Sequence, residues 1–209
     1  ITRDAIRNAG VTTVPEALRL DPRLHVSRIT ATEYAIGIRG FTTDINNKLL
    51  VLIDGRTLYT SLFSGVSWDH QELLLDDVER IEVISGPGAT LWGTNAVNGV
   101  INIITRNTSA TTGSHVSAHG GNFERGAQAR YGTALGEHGH LRIYGKYIEF
   151  DTHERANGVI ANDGAQRGQI GFRTDWRWQN DLLTVMGDIY NGTGDDRGTV
   201  TIPGLGERH

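Results

Sequence analysis

The sequence predicts an α+β domain followed by antiparallel transmembrane β-barrel strands too few to close a barrel. Three observations carry this. Residues 76–106 read as strand, glycine-punctuated bend, helical turn and second strand: D-D-V-E-R-I-E-V-I-S-G-P-G-A-T-L-W-G-T-N-A-V-N-G-V-I-N-I-I-T-R. From about residue 113 onward the strands lengthen and alternate, apolar on one face and polar or charged on the other, as in a membrane barrel with a wet lumen. No apolar run approaches the ~20 residues of a membrane helix, which excludes a helical span and leaves a barrel open.

Within the first stretch, Ile81 and Val83 alternate with Arg80, Glu82 and Ile84, a half-buried strand. Ser85-Gly86-Pro87-Gly88 interrupts it, because Pro87 fixes its own φ and the glycines accept turns. Val100 to Thr105 is an apolar, β-branched run broken only by Asn102, which suits a strand covered on both faces. Upstream, Thr12 or Thr13 is positioned to cap a short helix with Pro15 in its first turn, and Asp21-Pro22 ends it. Short strands follow at Val26–Ile29, Ala35–Arg39 and Leu49–Ile53, the last stopped by the turn signal Asp54-Gly55.

After Arg106, N-T-S-A-T-T-G reads as a linker. Beyond it Val116 and Ala118 oppose His115, Ser117 and His119. Ala127, Ala129, Tyr131, Thr133 and Leu135 oppose Gln128, Arg130 and Gly132. Leu141, Ile143, Gly145 and Tyr147 oppose Arg142, Tyr144 and Lys146. Ile170, Phe172, Trp176 and Trp178 oppose Gln169, Arg173, Asp175 and Arg177, and Leu183, Val185 and Ile189 oppose Thr184, Asp188 and Tyr190. The apolar set is expected to face lipid and the polar set the lumen, so that an arginine is costly at Ile170 and tolerated at Gln169. The connections near residues 137–140 and 179–181 are tight, whereas that across 151–165 is long. Trp176 and Trp178 lie beside a tight turn, where an interfacial aromatic girdle belongs.

Composition fits this outline. Gly is 27 of 209 residues, about twice the usual share of roughly 7%, as a turn-rich chain requires. A net charge of −4 argues against a general nucleic-acid binder, which needs a basic stripe. Zero cysteines exclude disulfides and thiolate metal sites. The chain opens at Ile1 with no methionine, charged n-region or apolar h-region, so any signal peptide is expected to be already removed or never present.

Enzyme chemistry finds no support. Gly88–Thr94 echoes a phosphate loop but lacks the lysine after its second glycine. Asp76, Asp77 and Glu79 precede a strand and read as solvated or capping acids. The eight histidines bring no carboxylate or third histidine at ligand spacing, and no Ser-His-Asp arrangement appears. No cofactor is implied.

The stretch Glu79–Thr105 resembles the end of the plug domain of TonB-dependent outer-membrane receptors, where a segment like E-R-I-E-V-x-x-G-P-x-x-x-L-x-G-x-x-A-x-x-G-V-I-N-I-I-T precedes the first barrel strand. Ser85 and Asn98 depart from residues common there, an arginine and a second glycine. Ile38-Arg39-Gly40-Phe41 matches a second family signature, I-R-G-F, and Val51–Gly55 a third, V-L-I-D-G, all in the family's order. The resemblance implies a plug over residues 1–108 and the N-terminal part of a transmembrane barrel over 109–209. Because plugged transporters have 22 strands, it implies that this is the N-terminal part of a longer protein.

It further implies a receptor in the Gram-negative outer membrane that takes up a ferric siderophore. Cobalamin, haem or another metal chelate are alternatives. The partners implied are the ligand, outer-membrane lipid and a TonB complex engaged through an N-terminal segment not evident in this sequence. From a different class, a secreted β-sandwich binding module also has alternating strands; it would be soluble without detergent, whereas barrel strands require lipid. By resemblance the ligand surface at the plug apex comprises Arg39 and Phe41, with Tyr59, Thr60, Phe63 and Trp68 from the loop after V-L-I-D-G. Arg39 is suited to bidentate hydrogen bonding, or to a structural pairing with a barrel carboxylate. Tyr59 and Trp68 are suited to stacking.

Overall fold

The computed structural model describes residues 1–38, 40, 47–60, 65–68, 71–93, 95–154, 158, 160–194, 200–202 and 206–208. The chain divides into two compact units, Ile1–Thr111 and Thr112–His209. The first unit begins with helix α1 (Arg3–Ala9), which the sequence reading missed. The Ala5 N–H donates to Thr2 Oγ1 at 3.3 Å, and Gly10 closes the helix at φ 65°, a left-handed C-cap. Helix α2 (Val14–Leu18) carries Pro15 near its start, with Thr13 at the N-cap but making no side-chain capping bond. Strands β1 (Leu24–Arg28) and β2 (Tyr34–Ile38) pair antiparallel. Glu16 Oε1 ties α2 to this pair, accepting from Arg28 Nη2 at 2.8 Å and from the Tyr34 hydroxyl at 3.0 Å. Burial pushes the Tyr34 phenol up to about 12.

The main sheet of this unit comprises β3 (Leu49–Ile53), β4 (Arg56–Thr57), β5 (Val78–Ser85) and β6 (Gly99–Thr105), in the order β4-β3-β6-β5, with α3 (Ala89–Trp92) between β5 and β6. Strand β6 is central, parallel to β3 and antiparallel to β5, which suits its apolar run, broken only at Asn102. Val51, Ile53, Ile101 and Ile103 join the large core with Ile6, Leu18, Ile36, Ile38 and Ile81. The other face of the sheet has a smaller cluster, Leu50, Leu52, Ala96 and Val100, against Trp92. Asn102, the polar interruption, donates to Glu82 Oε2 of the facing strand at 3.0 Å. Bonds from Arg80 and then Asn102 hold the Glu82 carboxyl below its ordinary range. Gly99 is obligatory, since a Cβ there would lie 2.6 Å from the Ile84 carbonyl oxygen.

The stretch after Arg106 is not a bare linker. Thr108–Thr111 forms a 3-10 turn with both threonines buried, and Asn107 Oδ1 accepts from the Ser109 N–H at 3.0 Å.

The second unit is an antiparallel meander of β7 (Gly113–Gly120), β8 (Glu124–Leu135), β9 (Gly139–Phe150), β10 (Ala165–Trp178) and β11 (Asp181–Gly194), in sequential order and not closed. Short strands β12 (Val200–Ile202) and β13 (Gly206–Arg208) pair with one another. Residues 136–138 and 179–180 make the tight turns, joined by the Arg177 N–H donating to the His138 carbonyl at 2.9 Å. The longer connection, 151–164, lies at the opposite end of the sheet. There His153 Nδ1 lies 3.0 Å from Asp163 Oδ2, and the Phe123 ring lies 4.2 Å from the His153 ring.

The faces follow the period-2 expectation. Val116, Tyr131, Ile143, Ile170, Phe172 and Ile189 are exposed, while Arg142, Lys146, Gln169 and Asp175 on the other face are buried. Asp175 is bound there by Arg173 Nε at 3.0 Å and by the Thr184 hydroxyl at 2.7 Å. The expectation for Gln169 needs correction. Its amide donates to Tyr144 Oη at 3.3 Å and Asp188 Oδ2 at 3.1 Å, so an arginine there would break a packed polar network rather than enter open lumen.

Candidate functional site

The loop after V-L-I-D-G is built outward from the core of the first unit. Asp54 and Gly55 have φ of 49° and 82°, the pair of positive values that a two-residue hairpin turn uses, and they join β3 to β4. Leu58 then re-enters the core, its N–H donating to the Val51 carbonyl at 3.0 Å. On the far side Val66 and Trp68 enter the same core, at 3% and 5% exposure. Between these anchors Thr60 and Gly65 exchange both backbone bonds, at 2.8 and 3.3 Å. The segment is therefore pinned at its base and closed at its neck.

The expected site residues separate on this frame. Tyr59 and Thr60 are half-buried at the neck. Trp68 is buried, its indole a member of the hydrophobic core of the unit, where it has a packing role. Arg39, Phe41 and Phe63 lie outside the described residues.

One side chain in this region was read from the sequence only as a turn former. Asp54 Oδ1 accepts from the Thr105 N–H at 2.8 Å and Asp54 Oδ2 from the Thr105 hydroxyl at 2.7 Å. The Asp54 N–H donates to the Ile103 carbonyl at 2.9 Å. The carboxylate thus clasps the end of β3 to the end of β6. Two motifs far apart in sequence, V-L-I-D-G and V-I-N-I-I-T, meet here because Ile53 is in register with Ile103. Asp54→Gly keeps the positive φ without strain and removes both side-chain bonds. It is expected to cost about 1.5–3 kcal/mol, as for hydrogen bonds to a charged group, and native-state hydrogen exchange at the Thr105 amide reads that loss directly.

Comparisons with known proteins agree with this architecture. A family model described as TonB-dependent Receptor Plug Domain matches residues 1–100. A vitamin B12 transporter, BtuB, of Vibrio cholerae serotype O1 is 34% identical over 182 residues, covering 84% of this chain and 28% of the relative. Its counterpart in Vibrio vulnificus is 31% identical over 166 residues, covering 76% of this chain and 26% of the relative. The chain thus spans little more than a quarter of the length of these relatives. Among solved structures, the ferric-catecholate import receptor Fiu from E. coli K12 superposes with a TM-score of 0.71 at 22% identity, covering 98% of this chain and 28% of that one. This likeness speaks to the fold of strands and sheet order.

Proposed function

We infer the function from one premise: the chain belongs to the TonB-dependent receptor family. It is the N-terminal part of a receptor in the Gram-negative outer membrane that takes up a scarce, bulky metal chelate and is coupled to a TonB complex for energy. The proteins it matches are named as transporters and receptors, and its role is binding and passage rather than catalysis. A corrinoid is the leading ligand. What supports it is that identity to vitamin B12 transporters runs over 182 residues, further than the 111 residues of the first unit and so into the barrel strands. A ferric siderophore is the second reading, favoured by Arg39 in I-R-G-F, whose guanidinium suits an anionic chelate.

The neck of the loop at Tyr59 and Thr60 supplies part of the ligand surface. An aromatic ring with a polar edge stacks on a planar or apolar face of the ligand while its hydroxyl stays bonded. Equilibrium binding of cyanocobalamin and of ferric catecholate and hydroxamate chelates to the full-length receptor tests the reading. Saturable binding of cyanocobalamin is expected. Binding of a ferric chelate alone would replace the ligand, and binding of none would remove the chelate class. Tyr59→Ala is expected to weaken binding by about tenfold, equivalent to roughly 1.4 kcal/mol, without a loss of thermal stability. Unchanged affinity would take the neck out of the ligand surface.

A further inference from the structure

The outward face of the second unit changes character at one level near the long-loop end. Arg125, Glu149 and Gln166 are direct cross-strand partners on β8, β9 and β10. They form a continuous polar row on the same face as Ile143, Ile170 and Phe172. Arg125 Nε donates to Glu149 Oε2 at 2.9 Å, and its Nη2 donates to the other carboxylate oxygen. One step further from that end, Tyr147 has its ring in the apolar band, and its hydroxyl donates to Gln166 Oε1 at 3.0 Å. From the level of Tyr147 onward, the outward positions of β10 are Gly168, Ile170, Phe172, Thr174, Trp176 and Trp178. The band ends in the Trp176–Trp178 stack, with ring centroids 5.8 Å apart.

The spacing matches a membrane. From Gly168 to Trp178 the strand advances roughly 33 Å at about 3.3 Å per residue. Tilted by about 45°, that is roughly 23 Å of height, against an apolar band of about 25 Å on outer-membrane barrels. An arginine facing lipid is costly at mid-depth and nearly free at the interface. A tyrosine whose ring is apolar and whose hydroxyl points toward the polar row is oriented as interfacial aromatics are.

We propose that the Arg125–Glu149–Gln166 row, with the Tyr147 hydroxyl, docks in the headgroup layer of the outer leaflet, and that the hydrocarbon edge runs between this row and the level of Ala127 and Gly168. The row is charge-balanced, Arg125 against Glu149. It therefore suits a layer of mixed phosphate and hydroxyl groups rather than capture of one anion. The inference rests on the proposed outer-membrane placement and sets its depth and orientation, with the tight turns at the opposite face.

Single-cysteine spin labels in the full-length receptor, reconstituted in bilayers, test it. This chain has no cysteine of its own. At Gly168 an added side chain meets nothing within 4 Å. Labels at Ala127, Gly168, Ile170 and Phe172 are expected to collide with oxygen and to lose collision with a water-soluble nickel chelate. Labels at Arg125 and Gln166 are expected to keep nickel accessibility. Loss of nickel accessibility at Arg125 and Gln166, with the other labels also dry, would overturn the boundary and leave the membrane placement standing. Nickel access at Ile170 and Phe172 would overturn the membrane placement itself, as would contact of those labels with a protein partner in place of lipid.

Discussion

Trp68→Ala in the full-length receptor is expected to destabilise the first unit by about 3–5 kcal/mol, the range for removing a large buried aromatic. The indole is only 5% exposed and packs in one core with Leu58, Val66, Leu75 and the β3–β6 strands, so its removal leaves a cavity that rigid strands cannot collapse into. Trp68 also fixes the far side of the loop whose near side is fixed by Leu58. Its loss should therefore loosen the neck at Thr60 and Gly65 as well. Hydrogen exchange of the β3 and β6 amides is the measurement, with Trp68→Phe expected to recover much of the loss by refilling the cavity. Were Trp68 instead a ligand-stacking residue, Trp68→Ala would leave exchange unchanged and lower affinity alone, and that outcome would reject the packing role.

Why Trp68 reads as a surface residue in the sequence is physically clear. It stands in S-G-V-S-W-D-H-Q, with polar neighbours and no periodicity, so no local pattern signals that its side chain turns inward. Burial there comes from joining a core whose strand members, such as Val51 and Ile101, are distant along the chain. The strands were legible for the opposite reason. Leu49–Ile53 is a continuous apolar run and Val100–Thr105 one broken only by Asn102, because both faces of the sheet are covered, and that information is local. Asp54 was half legible: its turn is local, its clasp on Thr105 is not. Helix α1 escaped because only Ile6 of its seven residues is buried, too weak a stripe to mark a helix. Its ends were nonetheless encoded by Thr2 and Gly10. The segment after Arg106 misled by composition, since serine and threonine are as suited to the Asn107-capped turn found there as to a linker.

Ile170→Arg is expected to destabilise the full-length receptor in lipid by about 1–3 kcal/mol, between the small cost of a cation at the interface and its cost at mid-depth. Ile170 is 59% exposed in a row with Gly145 and Ile189, its partners on the adjacent strands. Nothing polar within that row can bond the guanidinium, and the Arg125–Glu149 row is two same-face steps away along the strand. The inward control must avoid Gln169, which is buried and bonded to Tyr144 and Asp188. Tyr190 serves instead: it is adjacent to Ile189, on the opposite face, and 54% exposed. Tyr190→Arg places the same charge toward the lumen and should cost far less. The comparison is sharp because side chains alternate with a period of two, so a one-residue slip in register would exchange the two costs. Folding equilibria of both variants in lipid vesicles decide it. Equal costs would reject the assignment of faces, and the reverse order would place the lumen on the Ile170 side.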